Sequence, residues 1–311
     1  MGSVKDVTTR APVAVLMLCH KHPEHALASI ESMQGERDLI DRIFVGDNSC
    51  DTQVTKLLDA SDLDFEHVVF EANTGFAGGI NALTDIARSS CEAEYFLILN
   101  DDTLLEPNCL ANLLAEARPD LIASPMIVAS DDQRTVIQSA GDFDRDLVRF
   151  NNQFAGMDRS KVPPGVHEVE LTDGCCFLIH RQWSQAGFRM DPDFFMYFED
   201  VEYFLRLRSQ QVRFAFVTSA VVQHRKSSST GGPNSTSALR EYYFCRNRLI
   251  LARRLHTGTK RWRVYAVLAR LAVVNWWRFR RTSPEGARAI RIALLHFVRG
   301  RRGAYSSIHN R

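Results

Sequence analysis

The sequence predicts an α/β fold in which helices flank a mostly parallel sheet. The order strand, polar break, helix occurs three times before residue 90, and a fourth apolar run begins at Tyr95. These runs are apolar throughout, which is typical of strands buried on both faces of a parallel sheet. The chain has 311 residues, of which 45% are hydrophobic, and can therefore bury a large core.

The first strand is predicted at Val13–Leu18, followed by a loop with His20, His22 and His25. Three histidines within six residues could bind a metal. However, Pro23 is typical of a first helical turn, so a solvated loop and helix start is the favoured interpretation.

The next two strands also end in polar segments. Arg42–Val45 leads into Asp47 and Asn48, and His67–Phe70 leads into the glycine-rich segment Asn73–Asn81. That segment matches neither a Walker loop nor a dinucleotide-binding fingerprint. Its three glycines permit a ligand to approach the backbone at a helix start, but tight packing of helix on strand explains them equally well.

The fourth strand, Tyr95–Leu99, breaks abruptly into Asn100, Asp101 and Asp102. Open α/β sheets bind ligands beyond the carboxyl ends of their strands, so these oxygens would lie where a phosphate-bound cation sits. The alternative is a solvated turn before a helix at Glu106, because Asn and Asp are common turn and cap residues.

Further polar positions interrupt the second half of the chain. Asp173 breaks a strand-like stretch, where an ordinary turn is the alternative. Glu199 and Asp200 follow an aromatic run and begin a helix, whose N-terminus favours the anionic form of a carboxyl group. His224 ends a strand. The polar segment Lys226–Ser237 is either a lid or a plain linker, and residues 130–164 are predicted to be an excursion over the surface.

The net charge of +1 hides an asymmetry between the two ends of the chain. From Arg246 onward there are 17 Lys and Arg against one acid, Glu285, while the first 245 residues hold 21 basic and 36 acidic side chains. The basic end is rich in Trp, and Arg270 interrupts its apolar stretch, so an amphipathic helix on an anionic membrane surface is favoured over a transmembrane helix. An oligomer interface or a packed basic helix are the alternatives, and nucleic-acid binding is not expected.

Two features predict a cytoplasmic location, peripheral at the inner face of the membrane. The N-terminus from Met1 to Asp6 has no apolar region of the kind that signal peptides contain. The seven cysteines, an odd number without a Cys-x-x-Cys pair, fit a reducing compartment better than a disulfide framework.

Five short segments, taken in order, resemble the family 2 inverting glycosyltransferases with the GT-A fold, which is Rossmann-like. The segments are Asp47-Asn48-Ser49, Asn73 to Asn81, Leu99 to Thr103, Asp173-Gly174 and Phe195 to Glu202. Within that family the chain looks most like the rhamnosyltransferase and galactofuranosyltransferase branch. The match runs from about Val13 to Leu255, so residues 1–255 are expected to form the GT-A domain, with a nucleotide-sugar half at about 10–130 and an acceptor half at about 131–255. Residues 256–311 would form a basic amphipathic helical tail.

The resemblance implies a nucleotide-sugar site. Asp47, with Asn48 nearby, would accept a hydrogen bond from a pyrimidine base. The pocket would be shaped by Asn73, Gly75, Gly79 and Asn81, and Lys226 would reach the diphosphate.

The resemblance also implies a cation site and a catalytic base. Asp102 and His224 would hold Mn²⁺ or Mg²⁺, which suit oxygen ligands with one imidazole. Asn100 replaces the first acid of the family's Asp-x-Asp motif, and whether Asp101 serves the metal or the sugar stays open because side chains alternate along a strand. Asp200 would be the general base. The acceptor side would include Glu199 and Asp173.

The predicted function is transfer of a sugar from a dTDP- or UDP-sugar to a lipid-linked or polysaccharide acceptor in bacterial surface-glycan synthesis. Rhamnose is the first choice, with galactofuranose or another hexose as options. The competing hypothesis is a non-catalytic module that binds a nucleotide sugar or glycan. Asn100 favours that hypothesis, whereas the intact Asp102, Asp200 and His224 oppose it.

Overall fold

A computed structural model describes residues 12–138, 140–185, 187–225 and 237–305. Lys226 and nearly all of the predicted lid or linker segment lie outside the described residues.

The strands follow the predicted apolar runs closely. In chain order they are β1 (Val13–Cys19), β2 (Ile40–Asp47), β3 (Glu66–Val69), β4 (Tyr95–Asn100), β5 (Thr103–Leu105), β6 (Leu121–Ala129), β7 (Val136–Gln138), β8 (Ala140–Asp144), β9 (Arg149–Asn152), β10 (Val166–Val169), β11 (Leu171–Thr172), β12 (Cys176–His180) and β13 (Arg213–His224).

The helices fill the connections and form the C-terminal part. They are α1 (Pro23–Ser32), α2 (Thr52–Asp59), α3 (Gly75–Ser90), α4 (Cys109–Ala115), α5 (Glu199–Ser209), α6 (Ala238–Leu255), α7 (Gly258–Thr282) and α8 (Pro284–Val298). Short 3-10 helices occur at Gln34–Leu39, Arg159–Lys161 and Arg181–Ser184.

The main sheet has ten strands, eight of which lie in the order β10-β13-β6-β12-β4-β1-β2-β3. β1 pairs in parallel with β2 and β4, β2 with β3, and β6 with β13, whereas β12 runs antiparallel to β4 and β6. This confirms the predicted mostly parallel sheet. Apolar cores lie on both faces of it, which is why its central strands are apolar throughout.

Residues 130–164 are more ordered than a surface excursion. They contribute β7 to the main sheet, and β8 and β9 form a second, three-stranded sheet with β11. Phe143, Val148 and Phe154 from this stretch are buried. The prediction was wrong here because these apolar residues are spaced widely among polar ones, and they meet the core only through pairing with distant strands.

The C-terminal helices pack back onto the body. α8 contacts both α6 and α7, and residues 302–305 bond to α6 and to the loop before α5. The boundary between a domain at 1–255 and a tail at 256–311 stays a prediction. In the part of the chain that the structure describes, none of the helices offers a stretch long and apolar enough to span a bilayer.

Candidate functional site

The structure brings most of the predicted site residues to one edge of the main sheet. Asp47 ends β2, Asn100 ends β4 and His224 ends β13, and these parallel strands present their carboxyl ends together. β12 enters from the same edge because its first residue, Cys176, pairs with Leu99. The edge therefore collects side chains that are far apart in the sequence, as expected for an open α/β sheet.

Asp102 and His224 form the predicted pair. The Asp102 carboxylate oxygen Oδ1 lies 3.0 Å from His224 Nε2, and the side chains of both residues are about nine-tenths buried. β5 pairs with β13 so that His224 faces Thr103, which brings the neighbouring Asp102 beside the imidazole.

The residues of this pair fit a divalent cation that also binds phosphate. A carboxylate and an imidazole suit Mn²⁺ or Mg²⁺, and His224 Nδ1 is buried without a hydrogen-bond partner among the described residues. Within the described ranges no cluster of three or more His, Cys, Asp or Glu side chains could hold a metal by itself. A cation at Asp102 and His224 would therefore take its remaining ligands from a bound diphosphate or from water.

Asp101 has a different environment from its neighbour Asp102. Burial, together with the adjacent charge of Asp102, raises the pKa of Asp101 to about 8, and a hydrogen bond from the backbone of His20 opposes this shift. Asp101 therefore lies toward the loop after β1. Asn100 donates its backbone N–H to the carbonyl of Cys175 at 2.9 Å, which ties the two strands together at the site.

Asp47 is buried and organises its own loop. It accepts hydrogen bonds from Ser49 N (2.9 Å), Ser49 Oγ (2.5 Å) and Thr55 Oγ1 (2.5 Å). Burial opposes ionisation, but these hydrogen bonds outweigh it and hold the pKa of Asp47 below its ordinary value. The group is thus a fixed anion, and a carboxylate still has acceptor capacity for one further donor.

Asn48 and Asn73 fix the start of α3. Asn48 accepts from Thr74 N at 2.8 Å and donates to the carbonyl of Gly75 at 3.2 Å, while Asn73 accepts from Gly75 N at 2.9 Å. Gly75 has φ of +70°, and a Cβ there would lie 2.3 Å from the carbonyl oxygen of Phe195. Only glycine suits both the backbone angle and the contact.

Gly79 and Asn81 make packing contacts instead of facing open space. A Cβ on Gly79 would lie 2.7 Å from the Leu18 side chain, so this glycine lets α3 approach β1. The Asn81 amide bonds to both backbone groups of Met190, at 2.8 and 3.1 Å. These contacts favour the packing alternative for both residues, and their role in nucleotide binding stays a prediction.

Asp173 and Asp200 lie together on the other side of the edge. Asp200 accepts from the backbone N–H of Gly174 at 3.2 Å and from that of Val201 at 2.7 Å. A Cβ on Gly174 would lie 2.5 Å from Asp200 Oδ2, so glycine is needed at that position. Burial, followed by repulsion from Asp173, raises the pKa of Asp200 above its ordinary value.

Glu199 is buried beside Asp200, with 7% of its surface exposed, and its Oε2 has no hydrogen-bond partner among the described residues. Burial and then the charge of Asp200 raise its pKa well above the usual range, which favours the neutral carboxylic acid, a form that can donate a hydrogen bond. Asp173 accepts from Gln138 Nε2 at 2.8 Å and from Cys175 N at 2.8 Å. Burial raises its pKa, and nearby His224 opposes the shift.

Sequence reasoning missed two residues on α6, Arg246 and Asn247. Both are fully buried and bond to the loop that precedes Glu199. The basic character of the chain end suggested that Arg246 lies on the surface. Its position four residues after the buried Tyr242, on the same side of a helix, was the available indication of burial.

Comparison with known proteins gives one family and a set of solved structures. The family model described as "Glycosyl transferase family group 2" matches residues 95–298. A search of curated proteins found no match to this chain.

Among solved structures, the chain is similar to GalNAc-T7 with UDP, GalNAc and Mn²⁺, at 12% identity and a TM-score of 0.57 over 84% of this chain and 55% of the other. The chain thus spans about half the length of that protein. It is also similar to the mannosyltransferase PcManGT from Pyrobaculum calidifontis in complex with GDP-Man and Mn²⁺, at 14% identity and a TM-score of 0.53 over 96% of this chain and 78% of the other.

Proposed function

The chain belongs to glycosyl transferase family group 2 and is a glycosyltransferase with the GT-A fold, and from this premise we propose an inverting, cation-dependent transfer in which Asp200 is the general base. One observation carries the proposal. The Asp102–His224 pair and the Asp200 carboxylate lie at the same sheet edge, and the Asp173–Cys175 turn lies between them. One centre suits a diphosphate with its cation, and the other suits an acceptor hydroxyl.

The proposed step follows from the state of Asp200. Its ionised carboxylate takes the proton of an acceptor hydroxyl as that oxygen forms a bond to the anomeric carbon. The bond from the anomeric carbon to the diphosphate breaks on the opposite face, and the nucleoside diphosphate leaves with the electron pair. Asp102 and His224 would hold a divalent cation, which when bound would stabilise the negative charge of the leaving diphosphate.

The remaining side chains have binding roles in this proposal. Glu199 in its protonated form donates a hydrogen bond to the acceptor or the sugar. Asp173, held by Gln138, helps to bind the acceptor on the same side of the site. The donor nucleotide lies along the loops of Asp47, Asn48, Asn73 and Gly75, with Asn100 and Asp101 beside its sugar. Gly79 and Asn81 support this region through packing. The role of Lys226 is proposed from the sequence alone.

We take a pyrimidine nucleotide sugar as the donor, with dTDP-rhamnose first, and a lipid-linked or polysaccharide hydroxyl as the acceptor in bacterial surface-glycan synthesis. The carboxylate of Asp47 supports a base that carries an imide N–H. The similar structures carry UDP in one case and GDP-Man in the other, so purine donors belong in the same test.

The outer face of α7 supports a peripheral location at the inner face of the cytoplasmic membrane. Its exposed side chains combine Trp262, Val273, Val274 and Trp277 with Arg263, Arg270 and Arg281. Tryptophan and arginine are the residues that anchor helices in an anionic headgroup layer. The alternative is that this face of α7 forms an oligomer interface between two copies of the chain.

A thermal-shift screen tests the donor site first. The purified protein is heated with dTDP-rhamnose, UDP-galactofuranose, UDP-glucose, GDP-mannose and the free nucleotides, each with Mn²⁺, Mg²⁺ or EDTA. A ligand that binds only the native state raises the melting temperature. A rise that needs both one nucleotide sugar and a cation supports the proposal. No shift with any of them, in protein shown to be folded, contradicts it.

Loss of an acid at Asn100 favours one competitor, a module that binds a nucleotide sugar without turnover. Release of nucleoside diphosphate in the presence of acceptor separates the two functions. Donor binding without release, over a broad set of acceptors, would favour the binding module.

A further inference from the structure

The loop that leads into Asp200 has an unusual backbone. Phe195, Tyr197 and Phe198 have φ of +66°, +63° and +71°, which large L-residues rarely adopt. Residues in this strained conformation persist only where the surrounding structure holds them. We call residues 193–198 the base loop. Its backbone conformation requires support from the residues that surround it.

Arg246 of α6 provides much of this support through hydrogen bonds from its guanidinium group. Its guanidinium has five N–H donors, and five acceptors surround it at hydrogen-bond distance. They are Asn247 Oδ1 (2.9 Å), Tyr242 Oη (3.3 Å), and the carbonyls of Gly303 (2.6 Å), Asp193 (3.2 Å) and Phe194 (3.1 Å). The guanidinium also lies over the rings of Tyr242 and Tyr243, at 5.2 and 4.8 Å.

This arginine is fully buried, yet among the described residues no carboxylate forms an ion pair with it. A buried charge is costly unless hydrogen bonds satisfy it, so the base-loop carbonyls are a required part of its environment. The fork of a guanidinium can reach several carbonyls at once, which a lysine ammonium cannot do in the same geometry.

Asn247 holds the remaining carbonyls. Its Nδ2 lies 2.8 Å from the carbonyl oxygens of Phe194, Met196 and Tyr197, and its Oδ1 accepts from Arg246, so the amide orientation is fixed by its neighbours. The one carbonyl between them, that of Phe195, accepts from Phe76 N at 2.8 Å at the start of α3. Every backbone carbonyl from 193 to 197 is thereby bonded.

We propose that Arg246 and Asn247 are positioning residues that fix the base loop, and through it the burial and orientation of the Asp200 carboxylate. The inference rests on the proposed role of Asp200. Arg246 and Asn247 touch no reacting atom. They act indirectly, because the conformation of the base loop sets the direction in which the chain enters α5 and so the position of Asp200. With the loop fixed, Asp200 meets the N–H of Gly174 and is kept from water. If the loop is released, water reaches the carboxyl group and its pKa falls toward the ordinary value.

The test compares Arg246→Lys and Asn247→Ala with Arg248→Lys. Arg248 lies on the same helix, but its guanidinium bonds to the carbonyl of Leu147, away from the base loop. The first readout needs no substrate: the titration midpoint of the Asp200 side-chain carboxyl, followed by carbon NMR with Asp200→Asn as the assignment control. The second is amide hydrogen exchange at residues 193–201.

We expect both base-loop variants to lower the Asp200 midpoint and to speed exchange at 193–201, while Arg248→Lys matches the wild type. In a transfer assay with the donor found in the thermal-shift screen, turnover should fall at least about tenfold with the donor-induced melting shift unchanged. Asn247→Ala keeps the test valid if Arg246→Lys does not fold.

Three results would overturn the inference. They are a wild-type Asp200 titration in a folded Asn247→Ala variant, equal changes in Arg248→Lys, or a loss of donor binding as large as the loss of turnover. If the wild-type protein transfers no sugar while the two base-loop variants show the expected NMR and exchange changes, the proposed function is contradicted and the structural coupling is supported.

Discussion

The two sides of the candidate site are held in different ways. On the nucleotide side, Asp47 and Asn73 bond to residues two to eight positions away, and Asn48 bonds to Thr74 and Gly75 at the start of α3, 26 and 27 residues away. On the base side, residues 193–198 are held by α6 and by Gly303, 50 residues or more further along the chain. Side-chain hydrogen bonds at strand ends and helix starts hold the first side, and burial against segments about 50 residues or more away holds the second.

The two sides meet at one contact. Gly75 begins α3 on the nucleotide side, and its neighbour Phe76 donates a hydrogen bond to the carbonyl of Phe195 on the base side. A change at either side therefore has a direct path to the other. Variants that alter only one side of the site, assayed for both donor binding and turnover, measure how far the two sides act independently.

The largest effect is expected from Asp200→Asn. The amide cannot take a proton from the acceptor, so turnover should fall about 10²- to 10⁴-fold, the range typical of general bases. Donor binding, measured by the cation-dependent melting shift, should be nearly unchanged because the nucleotide side is intact. A loss of donor affinity equal to the loss of turnover would refute the base assignment.

Asp102→Ala should give the opposite pattern. Removal of the carboxylate from the Asp102–His224 pair is expected to weaken Mn²⁺-dependent donor binding by at least about tenfold. Calorimetric titration of nucleotide sugar with Mn²⁺ and with EDTA measures this. If the variant responds to the cation as the wild type does, Asp102 is not a ligand.

Gly75→Ala tests the contact that joins the two sides. The new Cβ clashes with the Phe195 carbonyl and the residue must keep φ of +70°, so we expect a loss of about 2 to 4 kcal/mol in the free energy of unfolding. Gly35→Ala is the matched control, because no atom lies within 4 Å of its Cβ position, and it should change stability by less than about 0.5 kcal/mol. Equal effects in urea unfolding would mean that the contact contributes little.

The smallest effect concerns pH and distinguishes the buried base from the fixed anion Asp47. Because the folded state raises the pKa of Asp200, it binds more protons there than the unfolded chain does, and stability falls as pH rises from about 4 through the raised pKa. The slope has a limit of about 1.4 kcal/mol per pH unit for one proton. Turnover should rise over the same window as the base ionises.

The difference in unfolding free energy between wild type and Asp200→Asn, followed against pH, reports the titration of Asp200 together with its effect on the neighbouring Glu199 and Asp173. The difference should shift in favour of the asparagine variant as pH rises. A difference independent of pH would show that Asp200 titrates normally in the folded state.

Much of the fold and part of the site followed from the sequence by itself. Apolar runs that end in polar residues predicted β1, β2, β4 and β13, and the sheet rule placed Asn100 and its neighbours beyond a strand end, whereas the roles of Asp47 and His224 were implied by the family resemblance. The Asp102–His224 pairing was also implied by the resemblance; the two side chains lie 3.0 Å apart, and their role as cation ligands stays a prediction. The strand predictions depend on local pattern and on sheet geometry, both of which a sequence carries.

The tertiary structure decided what no local pattern contains. It shows packing contacts of Gly79 with Leu18 and of Asn81 with Met190, gave the stretch between 130 and 164 strands of its own, and buried Arg246 against a loop 52 to 53 residues earlier. The raised pKa of Asp200 was likewise decided by the tertiary structure, because it comes mainly from burial by segments distant in the sequence. Long-range burial depends on which surfaces pack together in the folded chain. A sequence does not contain this information, so an arginine such as Arg246 is predicted to lie on the surface.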